Sequence, residues 1–103
     1  MMRRRRFAEV VTRQLDIFLE DNAELVWECE EAERAYNQAP RETAEKRYGE
    51  YVDVVETATE LLADLRDHFA SSLDEDAAEE YEAAFNQAVL KRLPRFALEI
   101  EDR

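Results

Sequence analysis

Breakers of regular structure are nearly missing from this chain. Its 103 residues include one glycine and two prolines, while Ala, Glu, Leu and Arg dominate. So few breakers among so many strong helix formers is the usage of long helices. Cysteine and histidine also occur once each. The lone Cys29 excludes an internal disulfide and agrees with a reducing compartment. The lone His68 excludes the paired Glu-x-x-His motifs of a di-iron bundle, and Leu65 stands three residues before it where a Glu would be needed. One His and one Cys do not make a tetrahedral zinc site either. His68 reads as a helix-surface residue whose charge suits a helix C-terminus. Cys29 reads as a small hydrophobe on an apolar seam.

Long hydrophobic runs are absent as well. No stretch approaches the ~18 uninterrupted apolar residues that a membrane span needs. The start of the chain, Arg3–Arg6 followed by Phe7, resembles the opening of a twin-arginine export signal. Glu9, Arg13 and Asp16 then interrupt any apolar core of such a signal. The expected location is the cytoplasm. With 46% hydrophobic residues and ten aromatics, the chain is too apolar to stay disordered despite its charge.

That charge is one-sided, with 26 acidic against 14 basic residues and a net −12. Four of the arginines fall within residues 1–6, so residues 7–103 carry ten basic residues and a balance of −16. A body this acidic repels phosphate backbones, which excludes nucleic-acid binding by the folded part. Residues 1–6 read as a flexible basic tail, in keeping with the disorder of chain ends. Mimicry of nucleic acid would need the acids clustered on one face, whereas the sequence spreads them along every segment.

The apolar pattern divides residues 7–103 into a single all-α domain. Val11, Leu15, Phe18, Leu25, Cys29, Ala32 and Tyr36 follow heptad spacing, with Asn22 filling the gap. A continuous helix over about 7–39 is expected, because the seam keeps its phase across "EDNAE". Asp21 with Glu24 offers a capping box for a break there. Asn22 is then either a register-fixing polar residue in the seam or a helix cap. Pro40 ends this segment. The second helix, about 42–70, repeats the spacing with Ala44, Tyr48, Tyr51, Val55, Ala58, Leu62, Leu65 and Phe69. Gly49 interrupts it at a cost of about 1 kcal/mol relative to alanine, which suggests a close helix approach. Ser72 with Glu75 predicts a capping box for a third helix over about 72–92, carrying Tyr81, Phe85 and Val89. After Pro94, "RFALEI" extends as a helical turn or two over 94–100. The expected fold is a small helical bundle: a long antiparallel hairpin plus a shorter third helix, with apolar faces wide enough to favour a homodimer.

Candidate chemistry rests on carboxylates. Glu28 and Glu31 form a Glu-x-x-Glu pair, and Glu50 and Asp53 form a Glu-x-x-Asp pair on the facing helix. This resembles the metal-binding pattern of the all-α nucleotide pyrophosphohydrolases of the MazG type. The resemblance covers about 26 residues and implies that Glu28, Glu31, Glu50 and Asp53 hold Mg²⁺ against a nucleoside triphosphate. Acids three apart share a helix face, and hard oxygen ligands suit Mg²⁺. Pairs of the same spacing recur at Asp21/Glu24, Glu30/Glu33, Glu42/Glu45 and Glu79/Glu82. On a wheel of ~100° per residue, Glu28 falls about 60° from Leu25 and Glu31 about 120°. Glu50 borders its seam and Asp53 points to the polar side. Trp27 falls about 160° from Leu25, away from the seam. A tryptophan outside the intrachain core supplies large area with a polar handle and is enriched at protein contacts. The expected function is therefore non-catalytic: an acidic helical interaction or oligomerisation protein, self-associating or binding another protein, with Trp27 and Asn22 as interaction candidates. The alternative is the Mg²⁺-dependent pyrophosphohydrolase.

Overall fold

At Asn22 the backbone leaves the helical region (φ −121°, ψ 29°), and the single long helix expected over 7–39 is two helices. The computed structural model describes residues 6–103; most of the Arg3–Arg6 run, and with it most of the expected tail, lies outside the described residues. Helix α1 spans Ala8–Asp21 and helix α2 spans Ala23–Asn37. The side-chain amide of Asn22 donates to the Phe18 carbonyl at 3.0 Å, and its backbone N–H donates to the same oxygen at 2.9 Å. A short polar side chain that competes for backbone partners in this way favours helix ends over helix interiors. Asn22 is half-buried at the junction, and its side chain caps nothing in α2. Seam phase alone did not ensure continuity, because the local chemistry of one residue opposed it.

Helix α3, Arg41–Ala70, starts directly after Pro40, whose extended conformation (ψ 162°) turns the chain back on α2. Helix α4 spans Glu75–Arg92, not 72–92, and its cap is Asp74, whose Oδ1 accepts the Ala77 N–H at 2.9 Å. The expected box from Ser72 to Glu75 does not form. The Ser72 hydroxyl donates instead to the Phe69 carbonyl at 2.7 Å, closing the end of α3. Asp and Ser are comparable N-caps, and the three residues after Ala70 are needed to reverse direction. Pro94–Phe96 form a 3₁₀ turn and Ala97–Asp102 form helix α5, somewhat longer than the expected turn over 94–100.

The core gathers around the C-terminal half of α3. Val55, Ala58, Thr59, Leu62, Ala63, Arg66 and Ala70 are buried there. Against them α4 lays Ala77, Tyr81, Phe85 and Val89, each four residues apart on one stripe. Val11, Leu15 and Phe18 of α1 and Phe96 and Ile100 from the C-terminal turn complete the packing. Tyr81 meets Phe69 at 4.7 Å and Phe7 edge-on at 5.5 Å between ring centroids. Such aromatic geometries each add about 0.5–1.5 kcal/mol beyond area burial. Helix α1 runs parallel to α4, since Phe7 meets Tyr81 at one end and Asp16 pairs with Arg92 at the other.

Helix α2 packs antiparallel on the N-terminal half of α3. The Cys29 thiol donates to the Val54 carbonyl at 3.6 Å, and Tyr36 meets Tyr48 at 5.2 Å. This half has no core of its own: no residue from 30 to 54 is buried. The two-helix arm projects from the bundle and gives the molecule extents of 51 × 24 × 23 Å. Its radius of gyration, 15.5 Å, exceeds the about 13 Å of a compact chain this long. Gly49 sits within the arm, and a Cβ there would meet nothing within 4 Å. It does not serve the close helix approach that the sequence suggested.

Candidate interaction surface

The arm has two flanks, and only one is covered. On the covered side Arg95, from the turn after α4, reaches the hairpin and its Nη2 donates to Glu33 Oε1 at 2.7 Å. Tyr51 lies at the same place, where burial and the Glu33 carboxylate push its hydroxyl above the ordinary tyrosine range. Cys29 is fully buried between α2 and α3, and burial likewise pushes its thiol up. A raised, enclosed thiol is poorly nucleophilic, as expected of a packing residue.

On the opposite flank Leu25, Glu28, Glu50, Asp53, Val54 and Thr57 border a shallow open depression of about 410 Å³. Along α3 the stripe Arg47, Glu50, Val54, Thr57 and Leu61 advances by alternating steps of three and four, so these residues share one face. Leu61 is 41% exposed and extends the apolar part of the flank toward the bundle. Tyr48, half exposed, stands near the tip. Trp27 is 58% exposed; neither α4 nor the C-terminal segment covers it. It lies about 100° round α2 from Glu28 and about 160° from Leu25, on the outer face of the helix.

The four acids of the metal pattern are only partly brought together. Glu28, Glu50 and Asp53 border the same depression. Glu31 is turned to Arg34 on its own helix, and Glu50 accepts from Arg47 Nη1 at 3.0 Å. Among the described residues no group of three or more His, Cys, Asp or Glu side chains is placed to hold a metal ion. Apolar Leu25 and Val54 share the depression with Glu28, Glu50 and Asp53. Among the described residues, too, no helix is long and apolar enough to cross a membrane. His68 is exposed in the last turn of α3.

Compared with known protein families, curated proteins and solved structures, the chain matches none.

The tertiary structure also assigns roles that the sequence did not signal. Arg66 is buried and cross-braces three elements: its Nη1 donates to Asn86 of α4 and to the Ile100 carbonyl of α5, both at 2.9 Å. Its Nε donates to Asp67 at 2.8 Å. Tyr81 donates its hydroxyl proton to Gln14 Oε1 at 2.7 Å, tying α4 to α1. Arg66 lies one step beside an apolar seam in a charged stretch, so spacing alone marks it as surface. Its three partners come from 1, 20 and 34 residues away.

Proposed function

We propose that this protein is a non-catalytic helical association module that works as a homodimer, using the two-helix arm of α2 and α3. The observation that carries this reading is the absence of any buried residue from 30 to 54, although that segment carries Ala44, Tyr48, Tyr51, Val52 and Val54. A helical hairpin gains most of its stability from packing an apolar face, not from propensity. An arm whose seam is left half-exposed gains that packing from a partner. The exposed Trp27 and Tyr48 of the same arm are side chains of the kind that anchor protein contacts. Light scattering at tens of micromolar should show a species of twice the chain mass. A strictly monomeric species at that concentration contradicts the reading.

The Mg²⁺-dependent pyrophosphohydrolase reading has one observation in its favour, the shared depression of Glu28, Glu50 and Asp53. It requires Glu31 to leave Arg34 and Glu50 to leave Arg47. Incubation with Mg²⁺ and a panel of nucleoside triphosphates separates the two: pyrophosphate release supports hydrolysis, and its absence supports association alone.

A further inference from the structure

We infer that the partner on the open flank is a second copy of this chain lying antiparallel, with the tip of each arm against the shaft of the other. The inference rests on the association reading above and specifies its geometry. Its basis is the separation of charge along the arm. The tip, residues 34–47, carries Arg34, Arg41, Lys46 and Arg47 against only Glu42 and Glu45. The two limbs of the shaft, residues 20–33 and 48–64, carry seven and five acids and no basic residue. In a chain of net −12, four of 14 basic residues are thus concentrated at one end of a projecting hairpin.

A twofold dimer buries the same patch on both copies, so the patch must be complementary to itself. Parallel arms would set basic tip on basic tip and acidic shaft on acidic shaft, and like charges brought together oppose association. Antiparallel arms set each tip along the other shaft. The open flank has the matching order: Arg47 toward the tip, Leu25 and Val54 as the apolar stretch that a twofold axis would cross, then Glu24, Leu61 and Asp64 toward the base. From residue 43 to residue 64 the flank is about 32 Å long, at ~1.5 Å per residue, and two helices are about 20 Å wide. Its projected area, on the order of 600 Å², approaches the roughly 800 Å² per partner of standard stable interfaces. On the other flank Arg95 already pairs with Glu33, and the depression there is lined by polar and charged side chains with no apolar stretch, which favours this flank for the partner.

Spin labels at the tip test the arrangement. Thr43→Cys in a Cys29→Ala background provides one label per chain on an exposed residue near the start of α3. With the axis near Val54, the two labels should lie about 33 Å apart, because 11 residues of α3, at ~1.5 Å each, separate each label from the axis. Parallel arms would put them within about 20 Å, and that distance would overturn the inference while leaving a homodimer in place. A charge test runs beside it on exposed side chains. Arg41→Glu, Lys46→Glu and Arg47→Glu together should weaken the dimer at least ~10-fold, and mixing with an Asp21→Lys, Glu24→Lys, Asp64→Lys chain should restore it as a heterodimer. A dimer indifferent to the charge of the tip also overturns the inference. A wild-type chain that remains monomeric removes the association reading itself.

Discussion

Tyr81 links the packing of the bundle to pH. Its ring is fully buried, and burial pushes its hydroxyl up to about 12. The folded state therefore keeps its proton at a pH where the unfolded chain, with an ordinary value near 10, has lost it. Stability tied to this group is complete below about pH 10 and falls as pH rises toward 12, by roughly 2–3 kcal/mol. Denaturant midpoints followed from pH 9 to 12 should show this decline. Tyr81→Phe should flatten it, at a cost of about 1 kcal/mol near neutrality because Gln14 loses its partner. Arg66 has a different kind of leverage. Replacing it with leucine takes a charged donor from the half-buried Asn86 amide oxygen and from the Ile100 carbonyl, which keeps only the longer 3.3 Å bond from the Arg103 N–H. A loss of about 2–4 kcal/mol is expected for hydrogen bonds to a charged group, with α5 losing amide protection first in hydrogen exchange.

Helix ends show how local chemistry adjusts a pattern that spacing lays down. The segment from Ser71 to Asp74 offers two capping residues, and the structure uses each for a different helix. Ser72 closes α3 and Asp74 opens α4. Asp74→Ala should cost about 1 kcal/mol in thermal or chemical unfolding, whereas Ser72→Ala should cost clearly less. A capping box led by Ser72 would require the reverse order. The break at Asn22 follows the same logic. The heptad spacing is continuous through it, but an amide that binds back to Phe18 ends α1 one residue before the seam resumes. That break frees α1 from the hairpin and lets it run beside α4, which turns the expected long hairpin into a short arm on a base of α1, α4 and the C-terminal half of α3, capped by α5.

On the scale of the whole molecule, the contrast between base and arm predicts uneven stability. Amides in residues 30–54 should exchange faster than those of Val55–Ala70 in dilute protein, since local opening follows the density of buried apolar contacts. If the arm is the association surface, that protection should rise with protein concentration, while the base changes little. Uniform protection at all concentrations would contradict both the open arm and its pairing. Much of the fold was legible in the residues themselves. Scarce breakers and the recurring seam imply an all-α chain, and Val11, Leu15, Phe18, Cys29, Val55, Ala58, Leu62, Tyr81, Phe85 and Val89 stand in the core where their spacing put them. The exposure of Trp27 also followed from its place on the wheel. The same spacing ran on through Ala44, Tyr48 and Tyr51, where no third layer exists to bury it, because periodicity marks a face without saying what covers it. For the same reason spacing did not say how the four acids of the metal pattern would meet: Glu28, Glu50 and Asp53 border one depression, while Glu31 pairs with Arg34 on its own helix. The sequence by itself determined helical class, seams and charge, which depend on neighbours within a few turns. Only the tertiary structure decided where the first helix breaks, that Arg66 is a buried brace, and that one flank of the arm stays open, because each depends on contacts between residues far apart in the chain.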